Sequence, residues 1–113
     1  RLAMIETCEG LAAVDAICAV EGLDGIFIGP GDLGINLGKG ADMDPTDPEV
    51  CAAFDQCLSA AKAAGKHAGL FCPNGAVARK RADEGFDFVV LGSDAILLKA
   101  ALAAELSVFS GKE

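Results

Sequence analysis

The chain has 113 residues, 52% of them hydrophobic and 23% charged, with 9 Lys and Arg against 17 Asp and Glu and a net charge of −8. That is the composition of one small globular domain, not of a disordered chain. The acidic balance is the wrong sign for nucleic acid or an anionic membrane as partner. No apolar run approaches the about 20 residues of a membrane span, and no segment has the basic-then-apolar pattern of a signal peptide.

The chain opens at Arg1 without a Met, and Leu2 already begins a strand, so the sequence reads as a piece of a longer protein. Leu2–Ile5 is the first strand candidate, followed by a helix over residues 10–20 with Leu11, Val14, Ile17 and Cys18 at helical spacing. Gly25–Ile28 is the second strand. It runs into the turn Gly29-Pro30-Gly31, a lone acid, Asp32, and a long loop over residues 33–46 that reads as a lid. Within that loop, Lys39, Asp42 and Asp44 read as solvated.

A helix over residues 48–64 follows, with Asp47 as N-cap before Pro48, or Thr46 and Glu49 as a capping box. Gly65 stops it. Residues 68–71 form the third strand, residues 76–84 a helix ending at Gly85, Phe88–Leu91 the fourth strand, and residues 94–109 a last helix after an N-cap at Ser93. The run Arg79-Lys80-Arg81 reads as a solvated helix face. Asn74-Gly75 and Gly92-Ser93-Asp94 read as ordinary strand-to-helix turns.

The strands are continuous apolar runs without strict alternation, as suits strands covered on both faces. Alternating β and α elements imply parallel strands joined by right-handed crossovers. Four units at roughly 28 residues each approach the ~31 per unit of a (β/α)8 barrel. The expected fold is therefore α/β, the C-terminal half of a (β/α)8 TIM barrel, as one partial domain over residues 1–113 with the N-terminal half absent. A small doubly wound sheet is the second choice. A Rossmann domain is ruled out, because Glu6-Thr7-Cys8-Glu9-Gly10 stands where a glycine fingerprint should follow the first strand.

In a barrel, residues at the C-terminal strand ends face the active site. Glu6 follows the first strand and Asp32 the second, so two carboxylates share one rim. Like charges in a cleft are unfavourable, and a divalent cation removes the conflict. Two protein oxygens leave most of an octahedral shell open to water and substrate, the habit of Mg²⁺ or Mn²⁺. The alternatives at this point are a solvated Glu6 near a helix start and a simple turn or cap role for Asp32. Cys8, Cys18, Cys51, Cys57 and Cys72 are odd in number, lack a CxxC pair and read as reduced thiols. The single histidine, His67, lies before the third strand, at the end opposite the acids, and reads as structural.

Met4-Ile5-Glu6-Thr7, with Glu21-Gly22-Leu23-Asp24-Gly25-Ile26-Phe27-Ile28-Gly29-Pro30-Gly31-Asp32-Leu33, resembles the signature of the HpcH/HpaI family of metal-dependent pyruvate aldolases. Leu37-Gly38, Asp47-Pro48-Glu49-Val50 and Ala64-Gly65-Lys66 extend the resemblance over essentially the whole chain, as the C-terminal half of that barrel. It implies Glu6 and Asp32 as metal ligands for Mg²⁺, Mn²⁺ or Co²⁺. It also implies that the backbone N–H groups of Gly31 and Asp32 hold the carboxylate of pyruvate. The implied reaction is cleavage of a 4-hydroxy-2-oxo acid to pyruvate and an aldehyde through a metal-stabilised enolate. The family implies a homo-oligomer whose last barrel helix packs on a neighbouring subunit. It also implies an acid/base histidine and a carbonyl-binding arginine in the other half of the barrel. Met4 replaces a common Gln and Gly34 a common Ser. A citrate-lyase-β or malyl-CoA-type lyase is the second enzyme reading, and a non-catalytic metal-binding fragment the reading outside enzymes.

Overall fold

A computed structural model describes residues 1–111. Four strands, β1 (Leu2–Ile5), β2 (Gly25–Ile28), β3 (His67–Cys72) and β4 (Phe88–Leu91), form one parallel sheet in the order β1-β2-β3-β4. Six helices complete the described chain: α1 (Cys8–Ala12), α2 (Val14–Cys18), α3 (Pro30–Asn36), α4 (Pro48–Ala63), α5 (Gly75–Asp83) and α6 (Asp94–Ser110). The strand order never reverses. A doubly wound sheet reverses at its switch point, so that second choice is set aside and the sheet is a segment of a TIM-barrel wall.

Strand alternation divides the side chains between two faces. Ile5, Ile26, Ile28, Ala68, Leu70 and Cys72 point outward into the helix layer, where Val14, Cys18, Val50, Phe54, Cys57 and Val77 complete the core. The opposite face, the barrel interior, carries Leu2, Met4, Phe27, Phe71, Phe88 and Val90. Its apolar surface is open, with Met4 59% exposed. Phe27 and Phe88 stack at 5.6 Å between ring centroids. They meet above Gly69, where a Cβ would lie 2.4 Å from the Phe88 ring.

Helix α6 buries no side chain. The radius of gyration of 16.1 Å, against about 13 Å for a compact chain of this length, reflects that projecting helix. Among the described residues, no helix is long and apolar enough to cross a membrane.

Three local expectations are corrected, and the choice of N-cap for α4 is decided. The helix over residues 10–20 is two short helices broken at Ala13, whose φ of −96° and ψ of 6° leave the helical region. β3 starts one residue early, at His67. The N-cap of α4 is Asp47, whose carboxylate accepts the Glu49 N–H at 2.9 Å, with no part for Thr46. Residues 30–36 are helical: Pro30 takes the first helical position and Asp32 the third, so the lid loop begins only at Leu37. Cys18, Cys57 and Cys72 are core residues, and burial, with Cys18 nearby, pushes the Cys57 thiol up to about 12.

Candidate metal centre

Register brings the two acids together. Ile5 pairs with Ile28, so the residues that follow, Glu6 and Gly29, leave the sheet side by side, and the Gly29 N–H donates to the Ile5 carbonyl at 3.2 Å. Alternation turns Glu6 to the interior face with Leu2 and Met4. Gly29 is the N-cap of α3, so Asp32 stands in the first helical turn directly above it.

The point where a Gly29 Cβ would sit lies 3.0 Å from Glu6 Oε2 and 3.8 Å from Asp32 Oδ2. The two carboxylates therefore flank one small space, kept open because residue 29 has no side chain. Both oxygens border one point, an arrangement that two carboxylates can offer to a single divalent cation. Neither carboxylate accepts a hydrogen bond or faces a cation among the described residues, although the sequence carries nine Lys and Arg. Asp32 is thus not spent on capping, and Glu6 is not paired off. The hard oxygen donor set and the space left by the missing Gly29 side chain fit a Mg²⁺- or Mn²⁺-type ion. The pair stands alone: among the described residues, no cluster of three His, Cys, Asp or Glu could hold a metal.

The loop after α3 closes one side. A Cβ on Gly31 would lie 2.9 Å from Met43 Cε, so the Met43 side chain rests on the backbone next to Asp32. The loop runs equally close to α3 at Gly34, where a Cβ would meet the Gly40 carbonyl oxygen at 2.3 Å. Between them lies a cavity of about 120 Å³ lined in part by Gly34, Lys39, Asp42 and Asp47. Lys39 is ion-paired with Glu49 at 2.9 Å and Asp47 at 3.6 Å, so it fastens the loop to the start of α4 and does not reach the carboxylates.

His67 sits at the first position of β3, opposite Gly25, at the far end of the sheet from Glu6. Its Nδ1 lies 3.7 Å from Asp87, with a side chain 68% exposed. The solvated reading of Arg79-Lys80-Arg81 holds for Arg79 but fails for Arg81, which is 4% exposed. Its guanidinium lies 5.0 Å from the Phe54 ring centroid and bonds Glu84 at 2.9 Å and Asp44 at 3.3 Å. The helical spacing Val77, Ala78, Arg81 was the available signal, since these three form the buried face of α5.

Comparison with known proteins gives a consistent result. The sequence model of the family described as HpcH/HpaI aldolase/citrate lyase matches residues 2–101. The chain is 48% identical over 100 residues to a hydroxypyruvate/pyruvate aldolase of Rhizorhabdus wittichii, covering 88% of this chain and 40% of that one. Its fold superposes on an HpcH/HpaI aldolase/citrate lyase family protein from Burkholderia cenocepacia with a TM-score of 0.91 at 30% identity, over 96% of this chain and 42% of that one. It also superposes on the citrate lyase β subunit from M. tuberculosis, solved with oxaloacetate and magnesium, with a TM-score of 0.68 at 26% identity, covering 84% and 48%. The chain thus spans about 40% of the length of the curated relatives it matches.

Proposed function

The chain belongs to the HpcH/HpaI aldolase/citrate lyase family, and from that premise we propose that it forms the metal-binding half of an aldolase that cleaves a 4-hydroxy-2-oxo acid to pyruvate and an aldehyde. The observation that carries the proposal is the pair of unpartnered carboxylates, Glu6 and Asp32, on either side of Gly29. These two residues hold a divalent cation, Mg²⁺ or Mn²⁺. The cation supplies Lewis-acid stabilisation of negative charge developing on the 2-oxo acid. The related citrate lyase β subunit, solved with oxaloacetate and magnesium, supports the choice of ion.

The chain's own residues then bind and orient. The N–H groups of Gly31 and Asp32 fall in the first turn of α3, where they lack helical acceptors, and take the substrate carboxylate. Met43 and the loop behind it shield that turn from water. Gly29 and Gly31 admit the ligand because any side chain at either would collide, with Glu6 in one case and Met43 in the other. His67 takes no part, and the proton-transferring histidine belongs to the remainder of the barrel.

The same proposal includes self-association through α6, which exposes Leu98, Leu102, Leu106 and Phe109. It also includes a reducing compartment, the cytoplasm, for a core containing three thiols. The citrate-lyase reading ranks second because its structural likeness is weaker, a TM-score of 0.68 against 0.85 for an HpcH/HpaI aldolase from Desulfitobacterium hafniense. Methyl-proton exchange of pyruvate in D₂O, followed by NMR with Mn²⁺ or Mg²⁺, tests the function. Exchange above the metal-only blank, lost in Glu6→Gln, is expected; none above the blank would mark an inert fragment.

A further inference from the structure

Arg81 is expensive to bury, and its local partners do not account for its position. Glu84, the C-cap residue of α5, and the Phe54 ring of α4 contact it from the helix layer. Its third contact is of another kind. Asp44 lies 37 positions away, in the middle of the loop over residues 37–47, and its Oδ1 takes both Arg81 at 3.3 Å and Lys80 at 3.2 Å. Asp44 is held from its other side as well, since its N–H donates to Asp42 Oδ1 at 2.9 Å. The residue before Asp44 is Met43, whose methyl group sits on Gly31, and Ala41 approaches the same glycine. Gly31 is bonded to Asp32. A continuous set of contacts therefore runs from a buried cation in the helix layer, through one loop carboxylate, to the backbone that carries a proposed metal ligand.

We propose that Arg81 and Asp44 are positioning residues of the Glu6–Asp32 site, fixing the loop so that Met43 holds the Gly31–Asp32 turn in its ligating geometry. This rests on the metal reading given above. It assigns the loop's placement to one ion pair between buried Arg81 and half-buried Asp44, with Lys80 as a solvated second donor. A guanidinium suits the task because it can face Glu84, Asp44 and an aromatic ring at once, which an ammonium cannot.

The chain has two methionines, Met4 and Met43, and both belong to this end of the molecule. Met4 lies on the rigid strand β1, two residues before Glu6, and Met43 on the loop, so ¹³C-methyl spectra of the full chain give one reporter for each. Sub-stoichiometric Mn²⁺ should broaden both lines in the wild type. In Asp44→Asn, and in Arg81→Lys, Met4 should stay broadened while Met43 sharpens, and Mn²⁺ affinity should fall about tenfold, as for other residues that orient metal ligands. Asp83→Asn, which removes a charge from the exposed face of α5, should change neither. Asp44 is partly exposed, so its variant should fold, and circular dichroism checks this. Without metal, amide exchange of residues 41–44 should quicken in Asp44→Asn.

Broadening of neither methionine in the wild type would remove the metal reading, and this proposal with it. Wild-type broadening of both that persists at Met43 in Asp44→Asn, with unchanged affinity, would overturn this proposal alone. Unchanged amide protection of the loop in Asp44→Asn would also overturn it.

Discussion

The two ends of the sheet are built from the same residue types and put them to opposite use. At the N-terminal end acids and cations are paired: the Arg1 amino group meets Asp24, Lys62 meets Asp87 at 2.7 Å, and Asp87 also accepts the Ala68 N–H at 2.9 Å. At the C-terminal end Glu6 and Asp32 face a shared gap next to glycines that keep it open, and among the described residues no Lys or Arg pairs with either. Satisfied charges hold strands in register, whereas unsatisfied ones of like sign persist where something else is to bind. The difference assigns stability to one rim and leaves the other for the proposed metal site.

That division can be broken by substitutions at the stabilising end. Gly25→Ala has the largest expected effect. Its Cβ would lie 2.3 Å from the His67 carbonyl oxygen and 2.9 Å from the carbonyl carbon, backbone atoms that cannot step aside without parting β2 from β3. A loss of about 3 kcal/mol in urea unfolding is expected for such overpacking. A Gly25→Ala protein with wild-type stability would show that this end is not tightly packed.

Asp87→Ala comes next, at about 2 kcal/mol, because the buried Ala68 N–H loses its acceptor. Asp87 also sets a pH signature. The Lys62 hydrogen bond, and after it the Ala68 N–H, hold its carboxyl below the ordinary 3.8. A group depressed in this way contributes stability that is complete above its unfolded value and is lost as pH falls through the lower folded value. Thermal melts from pH 5 downward should fall more gently for Asp87→Asn than for the wild type, and parallel curves would refute the assignment. The smallest effect belongs to Arg79→Ala. Its pair with Asp83 is 80% and 60% exposed on its two sides, and no measurable change in Tm is expected.

The sheet was the most legible part of the sequence. Strands buried on one side and covered by the rest of a barrel on the other are continuous apolar runs, and three of the four have the bounds expected from that pattern alone. The acids at the rim were legible for a related reason. Residues in the turn after a parallel strand emerge at a known end, so Glu6 and Asp32 could be placed on one rim without knowing any side-chain geometry.

What escaped was context. Helix α3 was hidden by Gly29, Gly31 and Gly34, poor helix formers that outweighed the Pro30 start signal. Gly29 read as a turn residue, and only the fold shows that its missing side chain is the space between two carboxylates. Arg81 read as one of three solvated cations, because a run of charges conceals which member faces inward until Phe54 and Asp44 arrive from distant segments.

The central claim is that Glu6 and Asp32 hold one hard cation between them. Titration calorimetry of the chain with Mn²⁺, on the wild type and on the Glu6→Gln, Asp32→Asn double variant, tests it most directly. One site per chain that vanishes in the double variant while the melting temperature is retained is the predicted result. Mn²⁺ binding of equal affinity in both proteins would contradict it.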